Sequence, residues 1–252
     1  MRKTKQALLK EIRAIRADHN NYEETVVRAD PYKLVAERML EKVPNSAIFE
    51  GMSHKEVRTY CKKPLMTALY NSRAQPEEAF GEDTQELIAF YDTLAELFPG
   101  AMNVMEALNN RWDDEATYHE WTLPDGHVAH CKVMNNIDGT LEIEGLNLPF
   151  RFKENSPSTV HTSLAPNFVH SLDGYILRFI TEKANEEGFQ VVHIHDEIQT
   201  HPNNMHRVKE LYREAIASVA TSGILEQYCE QDFGIELKDF LDRLKESSYA
   251  LC

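Results

Sequence analysis

The sequence has no apolar run of the roughly 20 residues that a helix needs to cross a bilayer, and no secretory signal pattern. Cysteine is scarce: four residues, widely spaced and without a CxxC pair, favour free thiols in a reducing compartment over a disulfide framework. Ten glycines and ten prolines are too few for a collagen or a low-complexity chain. These absences predict a cytoplasmic protein that does not enter a membrane.

Basic residues are also in short supply, since 27 of them against 41 acidic residues give a net charge of −14. This charge argues against a protein that coats nucleic acid by bulk electrostatics, although it allows a local basic groove. Six basic residues lie within residues 1–16, where leucines and isoleucines at helical spacing predict an amphipathic helix. A transit peptide, a helix that binds nucleic acid or a partner, and a solvated surface helix all fit this segment.

The pattern of apolar residues and turn signals predicts an α+β protein. Helices are predicted over residues 31–43, 54–70, 83–98, 166–187, 205–227 and 237–246, with one more that ends near Trp112. From Tyr118 onwards, alternating residues with turn signals at 124–126 and 138–139 indicate a small antiparallel β region. We divide the chain into a basic extension (1–30), a helical region (31–117) and a region of β-hairpins and C-terminal helices (118–252).

His195 and Asp196 lie between two short strand-like runs. A carboxylate in the turn of a hairpin is an exposed and rigid anion, which suits a divalent cation of the magnesium type. A hydrated hairpin turn with no bound ion gives the same pattern. The pair alone leaves both interpretations open.

A second candidate segment is RTYCKKPLMTALY, in which Arg58 and Lys62 are four residues apart and share a helix face. Two cations on one face suit a triphosphate, and they equally suit an ordinary solvated face. Tyr70 follows two turns further along, and Pro64 predicts a kink in this helix.

In a third segment, Pro166 and Asn167 begin a predicted helix that presents His170 near its first turn. A lone histidine there is usually a hydrogen-bonded structural residue. Together and in this order, the three segments resemble the single-subunit DNA-directed RNA polymerases of bacteriophages and mitochondria. The resemblance rests on Arg58-x-x-x-Lys62 with Tyr70, on PNFVHSLD from Pro166, on His195-Asp196, and on WTLPDG and KESSYALC. It covers the chain from about Asp30 to Cys252.

This resemblance implies a helical fingers-type region and a small antiparallel palm sheet that carries the catalytic hairpin. It implies that Asp196 is one of two palm aspartates that bind catalytic Mg²⁺, and that His195 lies beside the RNA 3′ end. Arg58 and Lys62 would contact the incoming ribonucleoside triphosphate. Phosphoryl transfer fits these residue types because it depends mainly on positioning and on neutralising charge.

The same resemblance places Tyr70 at the pivot of the fingers, opposite the template base, where the ribose hydroxyl is checked. It assigns His170 and Asn167 to the contact with the primer–template duplex. The implied partners are a DNA template, an RNA product and ribonucleoside triphosphates.

One part of the family pattern is missing. The other metal-binding aspartate belongs to a DxxxSGxQ-like segment, and residues 1–50 contain no such segment. One carboxylate does not make a two-metal site. We therefore expect the chain to be inactive alone and to need a second polypeptide that supplies the other aspartate and the thumb.

Two substitutions keep other functions open. Asn71 stands where the family usually has glycine, although asparagine tolerates a positive φ well. His-Asp-Glu, with Glu197 after Asp196, is the motif found in the related bacterial-type DNA polymerases, so a DNA polymerase fragment is the alternative enzyme. Met66 and the PNFVHSLDG run favour the RNA enzymes. A degenerate polymerase remnant that acts as a nucleic-acid or assembly scaffold is the alternative outside catalysis.

Two histidine-rich groups in the sequence are alternative candidates for a metal site. The first, His119, His127, His130 and Cys131, falls in an alternating β region and has no paired ligand spacing, which argues against zinc. The second, a metallohydrolase-like set of His193, His195, Asp196 and His201, would favour zinc-like metals where the motifs call for oxygen ligands. The expected cofactor is Mg²⁺.

Overall fold

The structure, a computed structural model, describes residues 30–195 and 197–246 as an α+β fold, which confirms the predicted class. The helices are α1 (Pro31–Lys42), α2 (His54–Ala68), α3 (Ala74–Phe80), α4 (Gln85–Leu97), α5 (Pro99–Asn110), α6 (Leu164–Glu186), α7 (Met205–Ser222), α8 (Ile224–Cys229) and α9 (Leu237–Glu246). The strands are β1 (Tyr118–Thr122), β2 (Val128–Lys132), β3 (Met134–Ile143), β4 (Leu146–Asn155), β5 (Val191–Ile194) and β6 (Glu197–Thr200). The helix predicted within residues 1–16 and the candidate Asp196 lie outside the described residues.

The first helices begin at strong caps. The Asp30 side chain accepts a hydrogen bond from the Lys33 amide at 3.1 Å, and Pro31 takes the first position of α1, where a missing N–H costs nothing. Ser53 and Glu56 form a reciprocal capping box at the start of α2. Pro64 is buried inside α2, which continues through it as one helix. Local sequence therefore determines where these helices start.

Three buried clusters hold the elements together. The first joins α1, α2, α3 and α4 through Val35, Met39, Val57, Cys61, Leu65, Phe80, Phe90 and Leu94. The second joins α5, α6, α8 and the β1–β2 pair through Leu108, Trp121, Cys131, Leu164, Phe168, Tyr175 and Ile224. The third joins α6 to α7 through Ile180, Val208 and Leu211. Helix α6 belongs to two clusters and contacts α5 as well, so it is the central support of the second half.

The β-structure consists of three separate antiparallel pairs, β1–β2, β3–β4 and β5–β6, in the part of the chain that the structure describes. The prediction of one small antiparallel sheet is wrong in this detail. The turn predicted at 124–126 is present between β1 and β2, where Gly126 has a φ of 79°. None of the described helices has both the length and the apolar character of a membrane span.

The turn predicted at 138–139 is also wrong. Asp138 and Gly139 lie within β3, and the turn between β3 and β4 is formed by Glu144 and Gly145, with φ values of 51° and 81°. The Phe150 side chain lies over Gly139, so closely that an added Cβ would be 2.5 Å from its Cζ atom. Continuous pairing along two amphipathic strands outweighs the local turn propensity of Asp-Gly here.

Three helix boundaries differ from the prediction. The helix that carries Arg58 ends at Ala68, so Tyr70 lies in the turn beyond it. The helix predicted over residues 205–227 breaks at Gly223, which adopts a left-handed conformation with a φ of 66°. Helix α6 begins at Leu164, which moves His170 from the first turn to the second.

Candidate functional site

Arg58 and Lys62 share the face of α2 that lies against the start of α1. The Arg58 Nε atom donates to Asp30 Oδ2 at 2.7 Å. The Arg58 guanidinium carbon and the Lys62 Nζ atom each lie 5.4 Å from the centre of the Tyr32 ring, within the range of a cation–π contact. Both cations are therefore held by one aromatic ring, and Arg58 also by one carboxylate.

The Asp30 carboxylate is the anchor of this arrangement. Partial burial of Asp30 opposes its ionisation, but hydrogen bonds from the Arg58 side chain and the Lys33 amide together lower its pKa below the ordinary 3.8. Asp30 is therefore ionised at neutral pH, and its negative charge lies next to the Arg58 guanidinium. The ion pair uses Nε of Arg58, and the NH1 and NH2 groups of the same guanidinium are of the kind that binds phosphate oxygens.

Tyr70 is placed by a tight turn at the end of α2. The amides of Tyr70 and Asn71 donate to the carbonyls of Thr67 and Ala68 at 3.1 and 2.9 Å. Asn71 has a φ of 62°, in the left-handed region that asparagine tolerates. Asn71 thus adopts a backbone conformation that favours glycine, and the turn forms with asparagine at this position.

Asn71 is further held by a reciprocal amide pair with Asn109 of α5. Asn71 Nδ2 donates to Asn109 Oδ1 at 2.9 Å, and Asn109 Nδ2 donates back to Asn71 Oδ1 at 3.2 Å. Both side-chain amides are partly buried, where water reaches them poorly. Each amide therefore satisfies the hydrogen-bonding groups of the other. This pair fixes the Tyr70 turn to α5.

Tyr70 meets His170 of the third candidate segment. Their ring centroids are 5.2 Å apart and their planes are inclined by 34°. Both side chains are exposed on one side, with 39% of Tyr70 accessible. The structure thus brings together two residues that the sequence predicted separately.

The segment that carries His170 is anchored at the N-terminal end of α6. Asn167 Nδ2 donates to the Ser163 carbonyl at 2.8 Å, so this amide supports the helix start. Trp121 Nε1 donates to Ser171 Oγ at 2.8 Å, which links the WTLPDG strand to the residue beside His170. The Trp121 ring also packs on Phe168. Two of the family-like sequence segments therefore form one structural unit.

The β5–β6 hairpin carries the remaining candidates. Ile194 pairs with Glu197, and His195, which follows Ile194 in the turn, has a φ of 56°. His193 Nε2 lies 2.5 Å from Thr181 Oγ1, which fastens the hairpin to α6. The antiparallel β5–β6 pair is present, and Asp196, between its strands in the sequence, lies outside the described residues. No hydrogen bond or ion pair between described residues joins His195 to Arg58 or Lys62.

The described residues do not by themselves form a metal site. Within 30–195 and 197–246, no group of three or more His, Cys, Asp and Glu side chains is placed to hold an ion. His119 is buried, its Nε2 atom has no partner, and its ring lies 4.4 Å from that of Trp112. Burial lowers the pKa of His119, against a smaller opposing effect of Asp113. His119 is therefore a neutral core residue in this fold.

Three residues of the site were missed from the sequence: Asp30 and Tyr32 beside the cations, and Asn109 beside the Tyr70 turn. Asp30 carries a local signal, since Asp-Pro predicts a helix start, but that signal says nothing about Arg58. Tyr32 and Asn109 act on residues far away in the chain. No local pattern could have identified them.

Comparison with known proteins finds similarity to RNA polymerases in each case. Residues 130–249 match the family described as DNA-dependent RNA polymerase. DNA-directed RNA polymerase 1 of Nicotiana sylvestris mitochondria is 24% identical over 237 residues, which are 80% of this chain and 24% of that protein. The chloroplastic DNA-directed RNA polymerase 3 of Nicotiana sylvestris is 25% identical over 247 residues, or 86% of this chain and 23% of that protein.

A shorter match reaches higher identity: the mitochondrial DNA-directed RNA polymerase of Schizosaccharomyces pombe is 31% identical over 85 residues, 34% of this chain and 7% of that protein. The chain spans about a quarter of the length of the two Nicotiana sylvestris relatives. The matched region 130–249 includes the β3–β4 and β5–β6 pairs, α6 and the His195 turn. The chain is thus related to the single-subunit DNA-directed RNA polymerases along most of its length, and its residues 130–249 match the DNA-dependent RNA polymerase family.

Proposed function

We propose that this chain is the fingers–palm part of a DNA-directed RNA polymerase that adds ribonucleotides to an RNA 3′ end. The observation that carries the proposal is the ring contact between Tyr70 and His170. In the family pattern these residues belong to the fingers pivot and to the helix along the primer–template duplex. The incoming nucleotide pairs next to the end of the primer–template duplex, so the pivot and the helix along the duplex must be neighbours, and the Tyr70–His170 contact supports this.

In this proposal Arg58 and Lys62 bind the triphosphate of the incoming ribonucleotide. The Tyr32 ring and the Asp30 carboxylate hold the two side chains in place before the nucleotide arrives, which reduces the ordering that binding must impose. Tyr70 would face the template base and the ribose, and His170 with Asn167 would lie along the minor groove. The fingers-like part corresponds to residues 31–117 and the palm-like part to residues 118–252.

The reaction of this family needs divalent metal, and Asp196 is the residue that we propose as a ligand of Mg²⁺ in this chain. Two such ions would neutralise charge on the attacking and leaving oxygens. Residues 1–50 contain no DxxxSGxQ-like segment that would carry the other palm aspartate. We therefore propose that a second polypeptide supplies that aspartate and the thumb. His195, in the turn next to Asp196, would lie beside the RNA 3′ end.

We further propose that the assembled enzyme acts in the cytoplasm, and in the cytoplasm of the host if the gene is carried by a phage.

One observation favours a second candidate, a DNA polymerase of related fold: Glu197 follows Asp196, as in the bacterial-type DNA enzymes. Another favours a non-catalytic scaffold: residues 1–50 contain no DxxxSGxQ-like segment that would supply the second metal-binding aspartate. The three functions differ in one measurable property each. The RNA enzyme incorporates ribonucleotides, the DNA enzyme prefers deoxyribonucleotides, and the scaffold binds without incorporating either.

The experiment is template-directed extension of a primed RNA–DNA duplex with Mg²⁺, using the chain alone and then mixed with the product of the adjacent upstream reading frame. Ribonucleotide incorporation only in the mixture is the expected result. A preference for deoxyribonucleotides would assign the DNA polymerase. Incorporation by neither sample would assign the scaffold.

A further inference from the structure

The β5–β6 pair packs with one of its faces on the third buried cluster. Because side chains alternate along a strand, that face consists of two cross-strand pairs of partly buried residues, Val191–Thr200 and His193–Ile198. On the other face, 58% of Val192 and 51% of Ile194 are exposed. The pair therefore has an inner face, and His193 belongs to it.

His193 is bonded to α6 through Thr181. The Thr181 Oγ1 atom donates to the Leu177 carbonyl, one turn earlier in α6, at 2.7 Å. A hydroxyl group has one proton, so its contact with His193 Nε2 at 2.5 Å uses an oxygen lone pair, and the histidine is the donor. His193 is therefore held as the tautomer that carries its proton on Nε2.

The second ring nitrogen of His193 shows that burial alone does not account for this residue. Its Nδ1 atom is buried and has no hydrogen-bond partner among the described residues. A buried nitrogen without a partner reduces stability, whereas an apolar side chain at this position would pack as Val191 and Ile198 do. What His193 contributes is therefore a directed contact with α6.

The direction of this contact matters because of where it lies. Apolar burial is non-directional, whereas a hydrogen bond requires a particular distance and angle between its atoms. His193 and Ile198 are the residues of the inner face nearest the turn, and His195 follows His193 after one residue. The bond to Thr181 thus fixes the end of β5 that leads into the turn.

The His195 turn depends on such support. Its φ of 56° is a conformation that a residue other than glycine keeps only when its surroundings hold it. Thr181 is exposed and His193 is partly buried, so their bond lies at the edge of the interface between α6 and β5. A bond that water can replace contributes little to the free energy of unfolding. Its main effect is on the position of the strand.

Thr181 also relates the His195 turn to the other candidate segment on α6. His170 and Thr181 are eleven residues apart in this helix, which is about three turns. They therefore lie on the same side of α6, separated by about 17 Å along its axis. One helix thus carries both the residue that contacts Tyr70 and the residue that holds β5.

We propose that Thr181 and His193 are positioning residues, which set the His195 turn on α6 for nucleotide addition. The inference rests on the proposed function, in which His195 lies beside the RNA 3′ end and the next residue in the sequence, Asp196, binds Mg²⁺. It adds the contact through which α6 determines where that turn lies. Neither Thr181 nor His193 touches the reacting atoms in this account.

The first test uses the isolated full chain with isotope-labelled histidine and determines the ring tautomer of His193 by NMR. We expect the Nε2-protonated form in the wild type. Thr181→Val removes the hydroxyl but keeps the shape of the side chain, so the single tautomer should be lost and the His195 backbone amide signal should shift. Thr181→Ser keeps the hydroxyl and should restore both. Thr221→Val is the matched control, because the exposed Thr221 Oγ1 atom also donates one turn back, to the Ala217 carbonyl at 2.9 Å.

The second test is extension of the primed RNA–DNA duplex by the mixture of both polypeptides. Thr181→Val and His193→Leu should lower kcat about three- to tenfold, which corresponds to the loss of one hydrogen bond. The KM for ribonucleotides should not change, since Arg58 and Lys62 on α2 bind the triphosphate in the proposed function. Thr181→Ser should have the wild-type kcat. Thermal unfolding should differ little among the variants, because the bond is exposed.

An unchanged His193 tautomer and His195 signal in Thr181→Val would overturn the proposal, as would equal changes in Thr221→Val. A raised KM with an unchanged kcat would overturn it too, because the two residues would then act on nucleotide binding. If the wild-type mixture incorporates no nucleotide, the proposed function fails, and the spectra still decide whether Thr181 and His193 position the turn. Wild-type incorporation with an undiminished kcat in Thr181→Val and His193→Leu refutes the positioning role alone.

Discussion

The rings of Tyr70 and His170 lie 5.2 Å apart, although Tyr70 follows a helix of the first buried cluster and His170 belongs to a helix of the second. Helix α5 contacts both α4 and α6 and so connects the two clusters. The contact at the surface thus depends on packing in two separate cores. A small shift of the Tyr70 turn would separate the rings.

The hydrogen-bonded pair of Asn71 and Asn109 restrains the position of that turn. We expect Asn109→Ala to lower the free energy of unfolding by about 1 kcal/mol, because the partly buried Asn71 amide loses its partner. Asn71→Ala should cost more, by a further ~1 kcal/mol, since alanine resists the φ of 62°. Asn71→Gly loses the pair without the backbone strain. Chemical denaturation of the three variants measures the order.

A double variant provides the control for this prediction. Asn71→Gly combined with Asn109→Ala should be about as stable as Asn109→Ala alone, because both changes remove the same reciprocal pair. Strictly additive losses would show that the two amides do not act on each other. Equal stability of Asn71→Ala and Asn71→Gly would contradict the left-handed conformation of the turn.

The kinds of element were predictable because their signals are local. Asp30-Pro31 and Ser53 with Glu56 determine helix starts, and the alternation from Tyr118 indicates strands. The β3–β4 turn was misplaced because Gly139 carries a turn signal, and the residue that occupies the space above it, Phe150, is far away in the chain. Short-range patterns do not contain such cross-strand pairing.

The candidate site was predictable only as separate motifs. Each motif contains a residue type suited to one task in the reaction. The fold then brings two of these residues, Tyr70 and His170, into contact. Tyr32 and Asn109 escaped because their partners, Lys62 and Asn71, lie on other elements. A positioning residue is recognised by what it touches, and one sequence does not record that.

Substitution of Tyr32 tests whether its ring positions Arg58 and Lys62 for nucleotide binding in the assembled enzyme. Tyr32→Leu removes the ring that faces Arg58 and Lys62 at 5.4 Å, and we expect the KM for ribonucleotides to rise several-fold with a smaller change in kcat. A cation–π contact of about 0.5–1 kcal/mol for each cation gives this magnitude. Tyr32→Phe keeps the ring and should restore the wild-type KM. Steady-state extension at varied nucleotide concentration distinguishes the two variants, and an equal KM for both would exclude a role for the ring.

His119 predicts a pH dependence of stability. Burial lowers the pKa of His119 in the folded chain below its ordinary 6.5, so the unfolded chain binds the proton more readily. Its contribution to stability is complete above pH 6.5 and is lost as the pH falls towards the folded pKa. His119→Phe retains a ring against Trp112 and should therefore lose less stability than the wild type between pH 7 and pH 5. Denaturation at each pH measures this, with the exposed His127→Phe as control; a wild-type loss no steeper than that of His119→Phe would contradict it.

The central claim is that Asp196 takes part in nucleotide addition by an assembled RNA polymerase. The most direct measurement is ribonucleotide incorporation on a primed RNA–DNA duplex by the mixture of both polypeptides, with the wild type, Asp196→Ala and Asp239→Asn. Asp239 lies on the exposed helix α9, paired with Arg243, and serves as the matched loss of a carboxylate. The account predicts background incorporation for Asp196→Ala with unchanged assembly, and wild-type incorporation for Asp239→Asn. Incorporation by Asp196→Ala at the wild-type rate would contradict it.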